Sequence, residues 1–251
     1  MILTAHYDTV FTDGANDNGS GVATLLEAAR VLAGLRFQHD ITFVFVEGEE
    51  IGPLGSVDCV NRHESEISDA IGAINIDSVA SGSPDGLAIG FGPLYPEAWE
   101  GMWWGWSQST TPEIDDLVSA VALEVVGYTP VSGHPEDIGG VGADSPLFVS
   151  EGIPTTDIGW HDQDRVSTCP AISDRQLAEG YQPWKTVDGT DYYYLPGAFW
   201  TNKPNLHTSY DVVSNVNAEY LADTIELTIL ATSRFAGRVY SILLPVAVSA
   251  P

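Results

Sequence analysis

Basic side chains are scarce in this chain. Nine lysines and arginines stand against 35 aspartates and glutamates, and the formal net charge is −26. Only two of the basic residues are lysines, Lys185 and Lys203. A surface this acidic repels nucleic acids and anionic membranes, because both carry negative charge. The sequence therefore predicts no nucleic-acid partner and no binding to a membrane surface.

Long apolar runs and cysteines are scarce as well. No run of about eighteen apolar residues occurs, so no membrane span is predicted. The first residues, MILTAH, lack the basic start and long apolar run of a signal peptide, and none is expected in this chain. The two cysteines, Cys59 and Cys169, lack the CxxC spacing of a zinc site; one disulfide and two free thiols are both compatible with them.

Strand-like and helix-like segments alternate in the front half of the sequence. The runs MILTAHYD, ITFVFVE and AIGAINID have the apolar and β-branched composition of buried strands. Between the first two, NGSGVATLLEAARVLAGL has apolar residues at helical spacing, with Asn18 or Ser20 as its cap. This order predicts an α/β layered domain, and the length favours one domain.

Two later stretches break this alternation. Residues at about 80–112 and about 160–206 are rich in Gly, Pro, Ser and aromatic residues without a sustained period, which predicts loop excursions. The first contains a tryptophan cluster, Trp99, Trp103, Trp104 and Trp106. These rings either line a pocket or pack together to hold the loop. Helices are predicted at PEIDDLVSAVALEVVGY, opened by Thr111 and Pro112, and at NAEYLADTIELTILATSRFAG.

Acids and histidines stand where the strand-like runs end, in the turn before the first helix and near the last helix. The candidates for a functional site are His6, Asp8, Asp17, Glu49, Glu50, Asp77 and His207. In open α/β sheets ligands gather at the carboxyl ends of the strands, so we expect these side chains to converge.

Metal binding is the chemistry that this set of residue types favours. Two imidazoles with three or more carboxylates suit borderline divalent metals, zinc above all. One carboxylate shared between two ions about 3.5–4 Å apart makes a two-metal hydrolase site. The adjacent Glu49 and Glu50 are the sharpest signal, because two carboxylates at the end of an apolar run repel each other unless cations or protons offset them. Gly48, just before this pair, predicts a sharp turn of the chain.

Seven short blocks carry a family resemblance. HYDTV, GANDNGSGVATLLEAAR, VEGEEIGPLGS, INIDSV, ADSPLF, EGIP and LHTSYDVV occur in the order of the co-catalytic zinc aminopeptidase family of the MH clan. The chain resembles this family, which also contains glutamate carboxypeptidase-like members, over residues 3 to about 80 and 142 to about 220. The resemblance implies a three-layer α/β/α fold with a mixed, mostly parallel sheet, and a single zinc-peptidase catalytic domain over residues 1–251.

Carried over position by position, the resemblance implies a site for two Zn²⁺ ions. His6 and Asp77 are the implied ligands of one ion. Glu50 and His207 are the implied ligands of the other, and Asp17 is implied to bridge both. His161 and His134 are rival candidates for the position of His207.

The implied reaction is hydrolysis of a peptide bond by a zinc-dependent exopeptidase that releases N-terminal amino acids. Glu49 is the implied general base, which takes a proton from a water between the metals and gives it to the leaving amine. Asp8 is implied to orient His6 through its second ring nitrogen. The implied partner is a peptide substrate, and the family resemblance together with the acidic surface favours an extracellular or periplasmic location.

Three alternatives to an aminopeptidase stay open at this point. A carboxypeptidase of the same clan needs basic residues for the substrate carboxylate, and several fall in the second irregular stretch: Arg165, Arg175, Lys185 and Lys203. A glutaminyl cyclase-like acyltransferase shares the fold but uses one zinc, and the complete second ligand set argues against it. A non-catalytic relative such as a transferrin receptor-like domain is expected to have lost ligands.

The sequence departs from the family pattern in three places. Family members carry strands before the one that ends in His6, so we expect this chain to lack them and to expose a sheet edge that invites self-association. Leu206 stands where some members have a tyrosine, for which Tyr210 or a tyrosine of 192–194 is the candidate substitute. In ADSPLF the residue after Asp144 is Ser145 rather than histidine, so Asp144 is predicted to be a helix cap.

Overall fold

A six-stranded sheet forms the centre of the fold in the computed structural model of the protein. The structure describes residues 1–10, 12–90, 111–132, 144–161, 168–169, 182–185, 191–194 and 205–239. The strands of this sheet are β1 (Ile2–His6), β2 (Thr42–Val46), β3 (Ala73–Ile76), β4 (Leu87–Ile89), β5 (Val131–Ser132) and β6 (Thr155–Trp160). Their order across the sheet is β2-β1-β3-β6-β4-β5.

The sheet is mixed and mostly parallel. Strands β2, β1, β3 and β6 run parallel to one another, β4 is antiparallel to β6, and β5 is parallel to β4. The carboxyl ends of the four parallel strands therefore lie at one edge, where ligands of α/β proteins gather.

Helices cover both faces of the sheet. On one face lie α1 (Gly19–Leu32), α4 (Pro112–Val126) and α6 (Ala218–Phe235), whose buried side chains join those of the strands in one apolar cluster. A second cluster packs the other face against α2 (Leu54–Arg62), α3 (Glu64–Ile67) and α5 (Ser145–Ser150). The predicted three-layer α/β/α arrangement is confirmed.

Local capping signals position two of these helices as predicted. Asn18 caps α1, because its side-chain oxygen accepts a hydrogen bond from the Gly21 amide at 2.9 Å. Helix α4 begins at Pro112 directly after Thr111 and ends at Gly127, whose φ of 78° is the left-handed conformation that favours glycine.

Both stretches predicted as loop excursions contain short strands among their described residues. Strand β4 lies inside the first stretch, at Leu87–Ile89, and pairs with β6. In the second stretch, β7 (Thr168–Cys169), β8 (Gln182–Lys185) and β9 (Asp191–Tyr194) form an antiparallel sheet in the order β7-β9-β8. The composition of these stretches did not indicate the strands, because segments this short depend on their pairing partners. The tryptophan cluster 99–106 lies outside the described residues.

Strand β2 forms one edge of the six-stranded sheet in the part of the chain that the structure describes. Its Phe45 is 38% exposed. Self-association through this edge stays a prediction, as does the assignment of residues 1–251 to one domain. None of the helices in the described ranges is long and apolar enough to cross a membrane.

Candidate metal centre

His6 ends β1 and is the centre of a first group of ligand atoms. The ring is buried, with 1% of its side chain exposed. Its Nε2 lies 3.3 Å from Oδ1 of Asp17 and 3.6 Å from Oδ1 of Asp77, which follows the neighbouring strand β3. One nitrogen and two carboxylate oxygens thus come within reach of a single cation.

His207 is the centre of a second group. Its Nε2 lies 3.1 Å from Oδ2 of Asp17 and 2.9 Å from Oε2 of Glu50. Asp17 therefore belongs to both groups and directs one oxygen to each. All five residues predicted as ligands are brought together, although no single segment of the chain carries more than one of them.

The electrostatics of the two groups suit a cation. Bonds to Asp17 and Glu50 outweigh burial and raise the pKa of His207 to about 10. Burial opposes the charge of His6, yet its carboxylate neighbours, with Asp17 first among them, raise the pKa of this ring far above its ordinary value. Protons on the imidazoles therefore balance the acids when no metal is bound. A divalent cation competes with these protons, since a histidine ligand must be neutral.

The donor atoms fit zinc. Each group offers one imidazole nitrogen and carboxylate oxygens, a set typical of zinc sites and unlike the all-oxygen sites of calcium or magnesium. The second oxygen of Glu50, Oε1, is shielded from solvent and has no hydrogen-bond partner among the described residues. Such an oxygen is costly to bury unless a ligand occupies it.

Asp8 connects the His6 strand end to the glutamate pair. Its Oδ1 lies 3.5 Å from Nδ1 of His6, and its two oxygens accept the backbone amides of Glu49 and Glu50, each at 3.3 Å. Burial opposes ionisation of this carboxyl, but the bonds from His6 and the two amides lower the pKa of Asp8 to about 2. The position of Asp8 is consistent with orienting His6; this role stays a prediction.

The turn that carries the glutamate pair depends on two glycines. Gly48 has a φ of 81°, in the left-handed region that side chains disfavour. At Gly55, in the first turn of α2, a Cβ atom would lie 2.3 Å from the carbonyl oxygen of Glu47. Helix α2 is therefore packed directly against the backbone that precedes the glutamate pair.

Glu49 and Glu47 differ sharply in their surroundings. Burial raises the pKa of Glu49 well above its ordinary value, with His6 opposing and Asp77 adding to the effect. Glu47 is exposed and accepts a hydrogen bond from the Tyr7 hydroxyl at 3.1 Å. The environment of Glu49 is the one that a general base needs, because a raised pKa makes it a better proton acceptor near neutral pH.

Several residues that hold the centre together were not predicted. The side-chain oxygen of Asn18 accepts the Ser78 amide at 3.3 Å, and that of Asn16 accepts the Ala80 amide at 2.7 Å. Asp211 accepts amides of the turn that carries Asp17. The sequence signal was weak: Asp211 follows His207 by four positions, and nothing in the pattern shows which backbone groups it reaches.

Asp144 occupies the predicted N-cap position of α5, but its side chain does not cap the helix. Its side chain makes no capping bond to α5 and instead accepts a hydrogen bond from the Ser56 hydroxyl of α2. Asp144 is fully buried, and burial raises the pKa of its carboxyl to about 6. A buried hydroxyl donor competes with the helix amides for the same carboxylate, and here it prevails.

Of the two rival histidines, His161 is described by the structure and is not in the second ligand group. His161 directly follows β6 and is buried, and its amide donates to the Gly86 carbonyl at 2.8 Å. His134 lies outside the described residues. Tyr210, a candidate to replace the tyrosine absent at Leu206, is 67% exposed, and for residues 192–194 the structure describes only the backbone.

A second buried acid, Asp157, lies on β6. Its oxygens accept hydrogen bonds from Asn75 at 2.8 Å and from the Ser145 hydroxyl at 2.6 Å. Burial outweighs these bonds and raises the pKa of Asp157 to about 8. The folded protein therefore keeps a proton at Asp157 that the unfolded chain releases at about pH 4.

We expect Asp157→Asn to stabilise the protein at pH 8 and to have less effect at pH 5. Between about pH 4 and pH 8 the unfolded chain is ionised at this position while the folded state is protonated, so the carboxyl costs the fold increasingly more as pH rises. A gain of about 1 kcal/mol at pH 8 would raise Tm by about 2–4 °C. Thermal unfolding at both pH values measures it. Asp69→Asn, at an exposed position, is the control, and an equal gain for Asp157→Asn at both pH values would contradict the assignment.

The fold and the centre together define a class. A mostly parallel α/β sheet whose carboxyl edge holds two ligand groups with one shared carboxylate is typical of co-catalytic metallohydrolases. The sequence model of peptidase family M28 matches residues 1–232. The chain therefore belongs to peptidase family M28, and the predicted family is confirmed.

Named relatives and solved structures agree with this family. Aminopeptidase YwaD of Bacillus subtilis is 42% identical over 83 residues, 32% of this chain and 18% of the relative. The Arabidopsis thaliana protein named "Probable glutamate carboxypeptidase LAMP1" is 27% identical over 180 residues, 64% of this chain and 23% of the relative. The structure of an aminopeptidase from Aneurinibacillus sp. strain AM-1 aligns with a TM-score of 0.64 at 22% identity, over 98% of this chain and 45% of that chain. The chain thus matches under a quarter of each relative and just under half of that structure.

Proposed function

We propose that this chain is the catalytic part of a zinc-dependent aminopeptidase that releases N-terminal residues from peptides. The observation that carries the proposal is the placement of Asp17, whose two oxygens serve two separate groups of ligand atoms. A carboxylate shared in this way supports a site for two zinc ions instead of one. Membership of a peptidase family and the name of the relative YwaD support the reaction class.

Two zinc positions follow from the proposal. His6, Asp17 and Asp77 would hold one ion, and Asp17, Glu50 and His207 the other. When bound, the ions supply Lewis-acid polarisation of the substrate carbonyl and a lowered pKa of the attacking water.

The protein's own groups supply the proton chemistry. Glu49 is proposed to accept a proton from the attacking water and to give it to the leaving amine, a task that its raised pKa supports. Asp8 is proposed to hold both His6 and the backbone of Glu49 in position through its Oδ1. The general base and one histidine ligand would then share a single anchor.

The charge around the centre favours a substrate amine over a substrate carboxylate. Apart from the two histidines, the ionisable side chains that the structure places there are acidic: Asp8, Asp17, Glu49, Glu50, Asp77 and Asp211. A free amino terminus is attracted to such a cluster, whereas a free carboxylate is repelled. This supports an aminopeptidase over a carboxypeptidase.

The test is a zinc titration of the purified chain followed by a substrate panel. The panel contains aminoacyl chromogenic substrates, peptides with a chromogenic carboxyl-terminal residue, and a peptide with an N-terminal glutamine. Two zinc ions per chain with release of amino-terminal residues is the expected result. Carboxyl-terminal release would replace the aminopeptidase by a carboxypeptidase, and cyclisation of the glutamine peptide would indicate an acyltransferase. A failure to bind zinc would overturn the proposal.

A further inference from the structure

Asp211 is a buried carboxylate that is neither a proposed zinc ligand nor the proposed general base. Only 2% of the residue is exposed. Its Oδ1 accepts the backbone amide of Asn16 at 2.6 Å, and its Oδ2 accepts the amide of Asp17 at 3.1 Å. Both oxygens are therefore used on the turn that carries the shared ligand Asp17.

The backbone around Asp211 reinforces the same connection. The amide of Ala15 donates to the Asp211 carbonyl at 3.3 Å, and the amide of Asp211 donates to the Thr208 carbonyl at 3.0 Å. Asp211 thus belongs to the loop that carries His207, while its carboxylate binds the turn of Asp17. The two segments are far apart in the sequence and are joined here by three hydrogen bonds to one residue.

The second ligand group needs such a connection. Oδ2 of Asp17 and Nε2 of His207 lie 3.1 Å apart, and each comes from an irregular segment instead of a strand or helix. His207 has a φ of 54° and Asn205 a φ of 68°, in the left-handed region that Asn and His adopt more readily than most non-glycine residues. In the part that the structure describes, the loop that carries His207 consists of turns and lacks the repeating backbone hydrogen bonds of a strand or helix.

We propose that Asp211 is a positioning residue that fixes Asp17 against His207 and so raises the zinc affinity of the position formed by Asp17, Glu50 and His207. This inference rests on the proposed function. Asp211 does not ligate the ion in this proposal; it orders two ligands before the ion arrives. Groups that orient metal ligands typically contribute about 10–100-fold to metal affinity or activity.

The first test is Asp211→Asn in the full chain. Asparagine offers one acceptor oxygen and places an NH₂ group toward the second amide, so one of the two side-chain bonds is lost. We expect one of the two zinc positions to bind about 10–100-fold more weakly, measured by competition with a chelating zinc indicator. Hydrolysis of the aminoacyl substrate should fall at limiting zinc and recover in excess zinc. Because bound zinc also stabilises a folded protein, the competition is run at a temperature at which the zinc-free variant is folded, so that a loss of folding stability alone leaves the zinc affinity unchanged.

Asp157→Asn is the matched control, because it also removes a buried carboxyl that accepts two hydrogen bonds but contacts neither ligand loop. It should keep wild-type zinc affinities. If Asp211→Asn fails to fold, Asp211→Glu carries the same test, since it keeps both acceptor oxygens and the charge on a side chain one methylene longer. We expect Asp211→Glu to weaken one zinc position as well.

The positioning role of Asp211 and the proposed function can fail independently in these experiments. If wild-type protein binds two zinc ions and hydrolyses the substrate, while the folded Asp211 variant keeps wild-type zinc affinities, the positioning role is overturned and the function stands. Equal weakening of zinc binding by the Asp157 control would also overturn it. If the wild-type chain binds no zinc, the proposed function itself fails.

Discussion

Truncation of Glu49 to alanine is expected to lower kcat for an aminoacyl substrate by about 10²–10⁴-fold while zinc stays bound. The loss is large because the proposed reaction uses this carboxylate twice, to accept a proton from water and to deliver it to the leaving amine. Burial raises the pKa of Glu49 well above its ordinary value, so a solvent-exposed carboxylate, whose pKa is lower, would be a weaker proton acceptor. Among the described residues, Glu49 belongs to neither ligand group. Steady-state kinetics together with zinc content per chain measure both halves of the prediction.

Glu47→Ala provides the matched control in the same turn. Glu47 is exposed, and its side chain accepts only the Tyr7 hydroxyl among the bonds that the structure shows for it. The same truncation two residues earlier should therefore leave kcat and zinc content near wild type. Wild-type turnover in the Glu49→Ala protein would remove Glu49 from the mechanism, and parallel losses in both variants would point to a disrupted turn instead of a lost base.

Truncation of Glu50 is expected to have a different effect, the loss of one zinc ion together with activity. Oε2 of Glu50 lies 2.9 Å from Nε2 of His207, and without it the second group keeps only Asp17 and His207. Changes to groups that merely orient ligands already cost about 10–100-fold in affinity, so deletion of a ligand should exceed about a hundredfold. Zinc per chain should fall from two toward one at limiting zinc.

The two neighbouring variants, Glu49→Ala and Glu50→Ala, should differ in their zinc content. Glu49→Ala should lose turnover and keep metal, whereas Glu50→Ala should lose metal and turnover together. Metal analysis after gel filtration and a chelator competition distinguish the two cases, with Glu47→Ala again as the reference. Two zinc ions of wild-type affinity in Glu50→Ala would show that Glu50 is not a ligand.

The sequence allowed the site to be predicted where strands determine the geometry. His6 ends β1 and Asp77 directly follows β3; these strands are adjacent and parallel, so their carboxyl ends lie at the same edge of the sheet. The glutamate pair follows β2 on the other side of β1 and reaches the same edge. The positions of these residues at strand ends were sufficient to predict that their side chains meet, because neighbouring parallel strands place their carboxyl ends side by side.

Contacts between loops could not be predicted from the sequence. The bonds of Asp211 to residues 16 and 17 join irregular segments distant in the chain, and no periodic pattern encodes them. Asp144 has the sequence context of a cap, but tertiary packing places Ser56 against its carboxylate. Strand β4 has three residues and exists through its pairing with β6 and β5, so its composition alone indicated a loop.

In the proposed two-zinc site, the shared carboxylate of Asp17 would make the two metal positions interdependent. Oδ1 of Asp17 lies with the His6 group and Oδ2 with the His207 group, so a cation held by one group would orient Asp17 for the other, while its positive charge would oppose a second cation nearby. Occupation of either position would then change the free energy of filling the other, and thermodynamic linkage makes that change reciprocal. Zinc binding at the two positions would therefore be described by a single coupling free energy.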